Sequence, residues 1–197
     1  MVRIRIEQIE KYAKDNNIPI MEKDGIMFLT NYIKENKIKN ILEIGSAIGY
    51  SAIKMAMVED NIKVITIERD INRYNEAVKN INDFELNKQI NILLSDAFEV
   101  NIDDKFDLIF IDAAKSQYIK FFEKFKYNLK DRGVIISDNL NFHGLVHLKD
   151  DIASRSLRGI VRKLNAYLEF LEKNEEFETI FYNIGDGIGV SKKKHNV

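Results

Sequence analysis

Short apolar runs alternate along the chain with longer segments in which apolar side chains recur at every third or fourth position. The short runs are rich in Ile, Leu and Val and hardly alternate with polar residues, as is typical of strands buried on both faces of a parallel sheet. They lie at 39–45, 63–68, 90–95, 107–112 and 133–138. The longer, amphipathic segments predict helices at 51–60, 71–86, 119–130 and 157–174. The alternation predicts an α/β protein with a doubly wound, mostly parallel sheet.

The two ends of the chain depart from this alternation. Residues 177–194 form two alternating runs around Gly185-Asp186-Gly187, which predicts a β-hairpin and an antiparallel end to a sheet of seven strands. Residues 1–36 have a helical pattern that breaks near Pro19, so we expect an N-terminal helical cover or interface. Residues 37–197 would then form a single globular domain.

Composition narrows the chemistry that is open to the chain. The 197 residues carry a net charge of −1 and include no Cys, one Pro and three His. The absence of Cys excludes a disulfide framework, a thiolate metal site and a cysteine nucleophile. No apolar run approaches the roughly 20 residues that span a membrane, and the N-terminus is too charged for a secretory signal. We therefore expect a cytoplasmic protein with no membrane partner.

The first predicted strand leads directly into a glycine-containing turn and then into a helix. In the sequence EIGSAIGYS, which starts at Glu43, the glycines permit a tight turn and the close approach of a ligand, and Ser51 is a candidate helix cap or ligand contact. The second strand ends at Glu68, where an acid can bind both ribose hydroxyls of a nucleotide. The glycines alone fit a structural turn equally well. Glu43, Gly45, Gly49 and Glu68 together indicate a cofactor site.

These elements resemble the first two motifs of the class I S-adenosylmethionine (SAM) methyltransferases, which have a Rossmann-like fold. Composition then separates the subclasses. The common C5-methylating nucleic-acid enzymes use a cysteine nucleophile, which this chain lacks. The common amino-methylating ones carry an Asn/Asp-Pro-Pro-aromatic motif, whereas the single proline here is Pro19. Oxygen methylation is the reaction that remains most natural.

Polar side chains follow the fourth and fifth predicted strands. Asp112 and Lys115 follow the fourth strand, and Asp138 and Asn139 follow the fifth, so all four should open on the same rim of the sheet as the cofactor turn. Oxygen ligands of this kind suit Mg²⁺. Either aspartate alone is explained equally well as a cap, but the four residues together favour a site. The D-x-x-K and D-N elements resemble the metal-dependent O-methyltransferases that include the catechol and caffeoyl-CoA enzymes.

The resemblance implies a role for each matching residue. Asp112, Asp138 and Asn139 would hold Mg²⁺, and Lys115 and Asp112 would be catalytic, with Lys115 as general base unless a water takes the proton. The implied cofactor contacts are Met21, Glu43, Gly45, Ser46, Gly49, Ser51, Glu68, Arg69, Asp96, Ala97 and Asp112. Glu68 would hold the ribose, Asp96 and Ala97 the adenine, and Asp112 the amino group of SAM. The metal would activate one of two chelated oxygens for in-line attack on the methyl group.

Stretches over nearly the whole chain resemble the bacterial tRNA 5-hydroxyuridine methyltransferases, which make 5-methoxyuridine at the wobble position. The matching stretches are IPIMEKDGI, ILEIGSAIGYSAIKMA, TIERD, IFIDAAKSQY, HGLV, NIGDG and SKKK. The resemblance implies SAM and Mg²⁺ as cofactors, tRNA as partner and a homodimer, and 5-hydroxyuridine offers O5 and O4 as a chelating pair. A catechol-like phenol offers a similar pair and is the alternative acceptor. A SAM-binding regulatory protein is a second alternative, against which the retained metal and base residues argue.

An RNA acceptor needs local positive charge. Between residues 143 and 163 there are five basic residues, Lys149, Arg155, Arg158, Arg162 and Lys163, and two acidic ones, Asp150 and Asp151. The tail adds three lysines, Lys192, Lys193 and Lys194. We expect both groups to flank the active-site rim, with Tyr118 and Phe142 placed to stack a base. A solvated helix face, a frayed terminus and ordinary packing explain the same residues equally well.

Overall fold

Helices and strands alternate in the computed structural model, which describes residues 2–140 and 155–194. Within these residues the helices are α1 Val2–Asp15, α2 Lys23–Glu35, α3 Tyr50–Ala56, α4 Ile71–Asp83, α5 Tyr118–Phe125 and α6 Arg155–Glu172. The strands are β1 Asn40–Ile44, β2 Lys63–Glu68, β3 Ile90–Leu94, β4 Phe106–Ile111, β5 Leu129–Ser137, β6 Phe177–Tyr182 and β7 Ile188–Lys193. In this part of the chain no helix combines the length and apolar character needed to cross a bilayer.

The strands form one seven-stranded sheet in the order β3-β2-β1-β4-β5-β7-β6. The five strands from β3 to β5 pair in parallel, whereas β7 runs antiparallel to both β5 and β6. The predicted α/β class, mixed sheet and C-terminal hairpin are confirmed. The chain passes outward from β1 to β3 and then returns to β4, so β1 and β4 meet at the switch point where sheets of this kind bind ligands.

The start of β5 differs from the prediction. Helix α5 ends at Phe125, a 3₁₀ turn covers Lys126–Asn128, and the strand begins at Leu129 rather than at Gly133. The spacing from Phe125 to Leu129 fits a continuing helix, but Leu129 pairs instead with Phe106 of β4. Pairing with a strand that is distant in sequence therefore outweighs the local helical spacing.

Each face of the sheet carries its own apolar cluster. Ile41 and Leu108 belong to the cluster under α1 to α4, whereas their sequence neighbours Leu42 and Ile109 belong to the cluster under α5 and α6. All four side chains are 0% exposed. Because the central strands are covered on both faces, they appear in the sequence as unbroken apolar runs.

The two N-terminal helices pack on the first of these clusters. Ile9 and Ala13 of α1 and Leu29 and Ile33 of α2 are buried in the same cluster as side chains of β1 and β4. Tyr50, at the start of α3, donates a hydrogen bond from its hydroxyl to the Glu10 carboxylate at 3.0 Å. The N-terminal cover is thereby attached to the helix that follows the glycine-containing turn.

Candidate functional site

A cavity of about 410 Å³ opens at the carboxyl ends of the central strands. Most of the residues that the sequence predicts for a cofactor or for catalysis line it: Met21, Gly45, Ser46, Ser51, Glu68, Arg69, Asp96, Ala97, Asp112, Lys115 and Asn139. Glu43, Gly49 and Asp138 do not line the cavity and are buried. The topology thus brings strand ends that are far apart in sequence to one site.

The turn after β1 depends on a glycine at its first position. Gly45 has φ +100°, and a Cβ built there would lie 2.2 Å from the Asp112 carbonyl oxygen. Gly45 and Ser46 both donate their backbone N–H to the Ile67 carbonyl, at 3.0 and 3.2 Å. The turn is therefore packed tightly against the ends of β2 and β4, and no side chain fits at Gly45.

Ser46 presents an unused polar group at this turn. The residue is 2% exposed, and its hydroxyl finds no hydrogen-bond partner among the described residues. A buried hydroxyl without a partner costs free energy. A polar ligand in the cavity would supply the missing partner.

Glu68 organises the same turn through its carboxylate. Its Oε2 accepts from the Ala47 N–H at 2.9 Å, and its Oε1 accepts from the N–H groups of Arg69 and Asp70 at 2.9 and 2.8 Å. A carboxylate offers about four lone-pair sites, so three of them are already in use. If Glu68 also accepted hydrogen bonds from both ribose hydroxyls, as the sequence predicts, its oxygens would have to serve the ribose and the turn together.

Glu43 is buried beneath the turn rather than exposed to the cavity. It is 0% exposed and accepts hydrogen bonds from the hydroxyls of Ser51 and Thr66, the latter at 2.5 Å. Burial raises the pKa of Glu43 to about 7, although both hydroxyls oppose the change. The sequence offers Ser51 as a candidate cap of α3, but Gly49 occupies the N-cap position instead.

The segment after β3 forms another wall of the cavity. Asp96 Oδ1 accepts from the Phe98 N–H at 2.9 Å, and Asp96 Oδ2 lies 3.8 Å from Nη1 of Arg69. The Phe98 ring stacks on Phe121 of α5 with 4.6 Å between centroids. Both rings line the cavity.

Sequence reasoning missed part of this wall. The helical spacing of Phe121 predicts a core position, no motif marks Phe98, and Gln117 lies in the IFIDAAKSQY stretch without a predicted role. The side-chain oxygen of Gln117 is buried and lacks a hydrogen-bond partner within the described part of the chain. One available signal was the position of Phe98 directly after Asp96-Ala97.

Asp112, Lys115, Asp138 and Asn139 converge at the edge of the cavity, as their positions after β4 and β5 predict. Lys115 Nζ donates to Asn139 Oδ1 at 2.7 Å and lies 3.8 Å from Asp112 Oδ1. Asn139 Nδ2 donates in turn to Asp138 Oδ2 at 2.7 Å. The four side chains form one connected polar cluster.

The two aspartates of this cluster both have raised pKa values. Burial raises the pKa of Asp112, and the Asp186 carboxylate adds to this while Lys115 opposes it. Burial also raises the pKa of Asp138, to about 7, with the nearby Asp112 carboxylate contributing. Asp186 comes from the turn of the C-terminal hairpin, and no motif in the sequence predicts that its charge acts on this cluster.

Within residues 2–140 and 155–194, no group of three or more His, Cys, Asp or Glu side chains is arranged to hold a metal ion. The set predicted from the sequence contains two carboxylates, Asp112 and Asp138. Its third member is the amide oxygen of Asn139, which here accepts the Lys115 hydrogen bond. Asn139 sits in the left-handed region at φ +60°, a conformation that asparagine tolerates.

Tyr118 supports the cluster from behind instead of offering a surface to a base. It is 0% exposed, donates from its hydroxyl to the Asp138 carbonyl at 3.2 Å, and packs edge-on against Tyr167. The suggestion that Tyr118 stacks an RNA base is therefore wrong, because its ring is fully covered. Phe142 lies outside the described residues.

The lysine tail does not flank the active-site rim. Because β7 is antiparallel to β5, Lys192 lies beside Val134, whereas Gly189 lies beside Ser137. The active-site rim begins after Ser137, at the carboxyl end of β5, so the tail lysines lie toward the amino end of β5, away from the rim. Of the basic segment 149–163, residues 149–154 lie outside the described residues, and Arg162 and Lys163 are exposed on α6.

Comparison with known proteins identifies the family. A sequence model of the family described as O-methyltransferase matches residues 3–194. The chain belongs to this O-methyltransferase family. Its members include SAM-dependent methyl-transfer enzymes, and this O-methyltransferase is likewise SAM-dependent.

Individual relatives agree with this assignment. The crystal structure of a provisionally named caffeoyl-CoA O-methyltransferase from Staphylococcus aureus is 39% identical, with a TM-score of 0.91 over 96% of this chain and 92% of that one. An O-methyltransferase from Bacillus cereus in complex with SAH is 25% identical, with a TM-score of 0.80 over 96% and 90%. The catechol O-methyltransferase of Niastella koreensis is 34% identical over 66% of this chain and 61% of its own length.

The cavity of this O-methyltransferase fits SAM in two observed respects. Ser46, whose buried hydroxyl has no partner among the described residues, is a lining residue, and Gly45 brings backbone without a side chain to the wall. The polar cluster around Lys115 lies at the edge of the same cavity.

Proposed function

We propose that this O-methyltransferase transfers the methyl group of SAM to one oxygen of a vicinal oxygen pair, and that the pair is O5 and O4 of 5-hydroxyuridine at the wobble position of tRNA. The observation that carries the proposal is the cluster of Asp112, Lys115, Asp138 and Asn139 beside the cofactor cavity. It brings oxygen ligands for a cation and the amino group of a lysine together at one place.

The methyl donor would occupy the cavity between the turn after β1 and the segment after β3. Ser46 and the backbone around Gly45 would contact its methionine part, Glu68 its ribose, and Asp96 with Ala97 its adenine. These residues line the cavity together, and Ser46 gains the partner that its buried hydroxyl lacks. Glu43 would act indirectly, by fixing Ser51 from below.

Asp112, Asp138 and Asn139 would hold Mg²⁺ at the edge of the cavity. Carboxylate and amide oxygens are the ligands this ion prefers, and the raised pKa values of Asp112 and Asp138 indicate carboxylates whose charged form a bound cation would stabilise. When bound, the ion supplies Lewis acidity toward the oxygens it chelates. Lys115 Nζ, held between Asp112 and Asn139, would receive the hydroxyl proton of the acceptor as the neutral amine, after giving up its own extra proton to solvent.

The choice of a tRNA acceptor rests on the resemblance of the stretches named above to the tRNA 5-hydroxyuridine methyltransferases. Exposed Arg162 and Lys163 lie on α6, a helix that also contacts the Lys115–Gln117 turn, and they would be the basic residues of this helix available to an RNA backbone. A catechol-like phenol is the second candidate. It is favoured by the similarity to a catechol O-methyltransferase.

The two acceptors can be separated in one experiment. The protein is incubated with SAM, Mg²⁺ and either tRNA containing 5-hydroxyuridine or a panel of catechols, and products are identified by mass spectrometry of nucleosides and of phenols. We expect 5-methoxyuridine in the first reaction. Methylation of catechols together with unchanged tRNA would replace the proposal by the second candidate.

The metal cluster is tested with Asp138→Ala. We expect methyl transfer to fall by about 100-fold or more while SAH binding changes by less than about threefold, since Asp138 does not line the cofactor cavity. Asp131→Ala, at an exposed acid on β5, the strand that Asp138 follows, serves as the matched control. Full activity of the wild-type protein in EDTA would remove the metal from the mechanism.

A further inference from the structure

Lys124 of α5 makes an unusual set of contacts with the segment that follows β3. Its ammonium donates to three backbone carbonyls, those of Ala97, Phe98 and Val100, at 2.9, 2.8 and 2.7 Å. An ammonium has three N–H donors, so one side chain uses all of them on a single short segment. Burial lowers the pKa of Lys124, and the nearby Asp96 charge opposes the change.

Residues 96–100 lie between β3, which ends at Leu94, and β4, which begins at Phe106, and form a turn in which the Glu99 N–H donates to the Asp96 carbonyl at 2.9 Å. Within the described part of the chain, the carbonyls of Ala97, Phe98 and Val100 receive no backbone hydrogen bond from a strand. Apart from the contacts of Lys124, the Asp96 carboxylate accepts a hydrogen bond from the Phe98 N–H. Lys124 therefore supplies the donors that a strand partner would otherwise provide.

The fixed segment forms a wall of the cofactor cavity. Ala97 and Phe98 both line the cavity, and the Phe98 ring stacks on Phe121, which lies on the same helix as Lys124. Helix α5 thus holds this wall twice, through the aromatic stack and through the ammonium. The two contacts leave the wall in place before any ligand arrives.

We propose that Lys124 is a positioning residue for the cofactor, which preorganises the 96–100 segment as the wall that receives the adenosine part of SAM. The inference rests on the proposed placement of SAM in this cavity and adds a residue that neither touches the ligand nor belongs to a motif. Without the ammonium, the ligand itself has to order the segment, and the conformational entropy lost in doing so is subtracted from its binding free energy.

The variant Lys124→Met tests this role because methionine keeps an unbranched apolar stem and removes the three donors. We expect the Kd for SAH to rise about tenfold, which corresponds to about 1.4 kcal/mol, the scale of one hydrogen bond from a charged group. Lys124→Arg retains a cation with several donors and should restore binding to within about threefold of wild type. Lys120→Met, at an exposed lysine on the same helix, is the matched control and should bind as wild type does.

Isothermal titration calorimetry of the full chain with SAH and with 5′-methylthioadenosine locates the effect. Both ligands carry adenosine, but the second lacks the amino-acid part, so a wall that receives adenosine predicts the same fold-loss for both. Circular dichroism melting, run in parallel, confirms that each variant is folded at the titration temperature.

The outcomes are distinguishable. An affinity of Lys124→Met within twofold of wild type, or a loss confined to SAH, overturns the role of Lys124 and leaves the proposed cofactor site intact. A wild-type protein that binds neither ligand overturns the cofactor site and this inference together. An equal loss for both ligands with rescue by arginine supports the proposal.

Discussion

Glu43 provides a test of how burial controls the charge beneath the cofactor turn. Its carboxylate is 0% exposed and is held by the hydroxyls of Ser51 and Thr66, with no cation among its contacts in the described residues. Burial raises its pKa from 4.5 to about 7. The substitution Glu43→Gln keeps the shape of the side chain and removes the ionisation.

The magnitude follows from the difference between the two pKa values. In the unfolded chain Glu43 titrates near 4.5, whereas the folded protein holds the proton until about pH 7. Because the folded state binds the proton more tightly, this group lowers the free energy of unfolding as pH rises from about 4.5 to 7. At about 1.4 kcal/mol per pH unit, the loss is about 3 kcal/mol and is complete near pH 8.

The assay is urea unfolding of wild type and Glu43→Gln, followed by far-ultraviolet circular dichroism between pH 4.5 and 8. We expect the stability of the variant relative to wild type to increase by about 3 kcal/mol across this range, equivalent to about 1 M in the urea midpoint. The new amide also changes the hydrogen bonds to Ser51 and Thr66, but that offset is the same at every pH. The slope of the difference is therefore the informative quantity.

Two further variants sharpen the test. Thr66→Val removes a hydrogen bond that opposes the raised pKa of Glu43, so it should extend the pH-dependent loss of stability to higher pH and make the total change larger. Glu59→Gln, at an exposed carboxylate, serves as the control for the substitution itself. A difference between Glu43→Gln and wild type that is constant with pH, or that shrinks as pH rises, would refute the reasoning.

Three other substitutions have defined outcomes. Gly45→Ala should destabilise the protein by at least about 2 kcal/mol and abolish SAH binding by calorimetry, because its Cβ would lie 2.2 Å from the Asp112 carbonyl at φ +100°. Gly159→Ala, at a position in α6 where a Cβ meets nothing within 4 Å among the described residues, should raise stability by about 0.5–1 kcal/mol, seen as a Tm increase. Tyr167→Phe removes a 2.6 Å hydrogen bond and leaves the buried Ser137 hydroxyl unpaired, which should cost about 1–3 kcal/mol in urea unfolding. Unchanged stability of Gly45→Ala or Tyr167→Phe, or a lower Tm for Gly159→Ala, would contradict these contacts.

The topology of the sheet explains why the cluster around Lys115 lies beside the cavity. Methyl transfer to oxygen requires the acceptor oxygen and the sulfonium of SAM to meet, and β1 and β4 are adjacent at the switch point of the sheet. The cofactor turn follows β1, and Asp112 with Lys115 follows β4, so the donor and acceptor sides share one edge. Backbone pairing of Ile44 with Ile111 fixes that relation directly.

The positions of strands and the convergence of the cluster could be predicted from the sequence. Strands covered on both faces must be continuously apolar, and β2 lies where the pattern places it, at Lys63–Glu68. Parallel pairing then brings Asp112 and Asp138 to one rim whatever the details of packing. The glycines at 185 and 187 similarly mark the turn of the final hairpin, since both adopt positive φ.

Other features were decided only by the tertiary structure. The depth of Glu43, the three carbonyls held by Lys124 and the approach of Asp186 to Asp112 depend on contacts between segments that are far apart in the chain. The lysine tail faces away from the site because antiparallel pairing reverses the last strand. Hydrophobic periodicity records which residues are covered and at what spacing, and this fixes the elements and their order. It does not record which distant group covers them, and that information is what sets the charges and hydrogen bonds of the site.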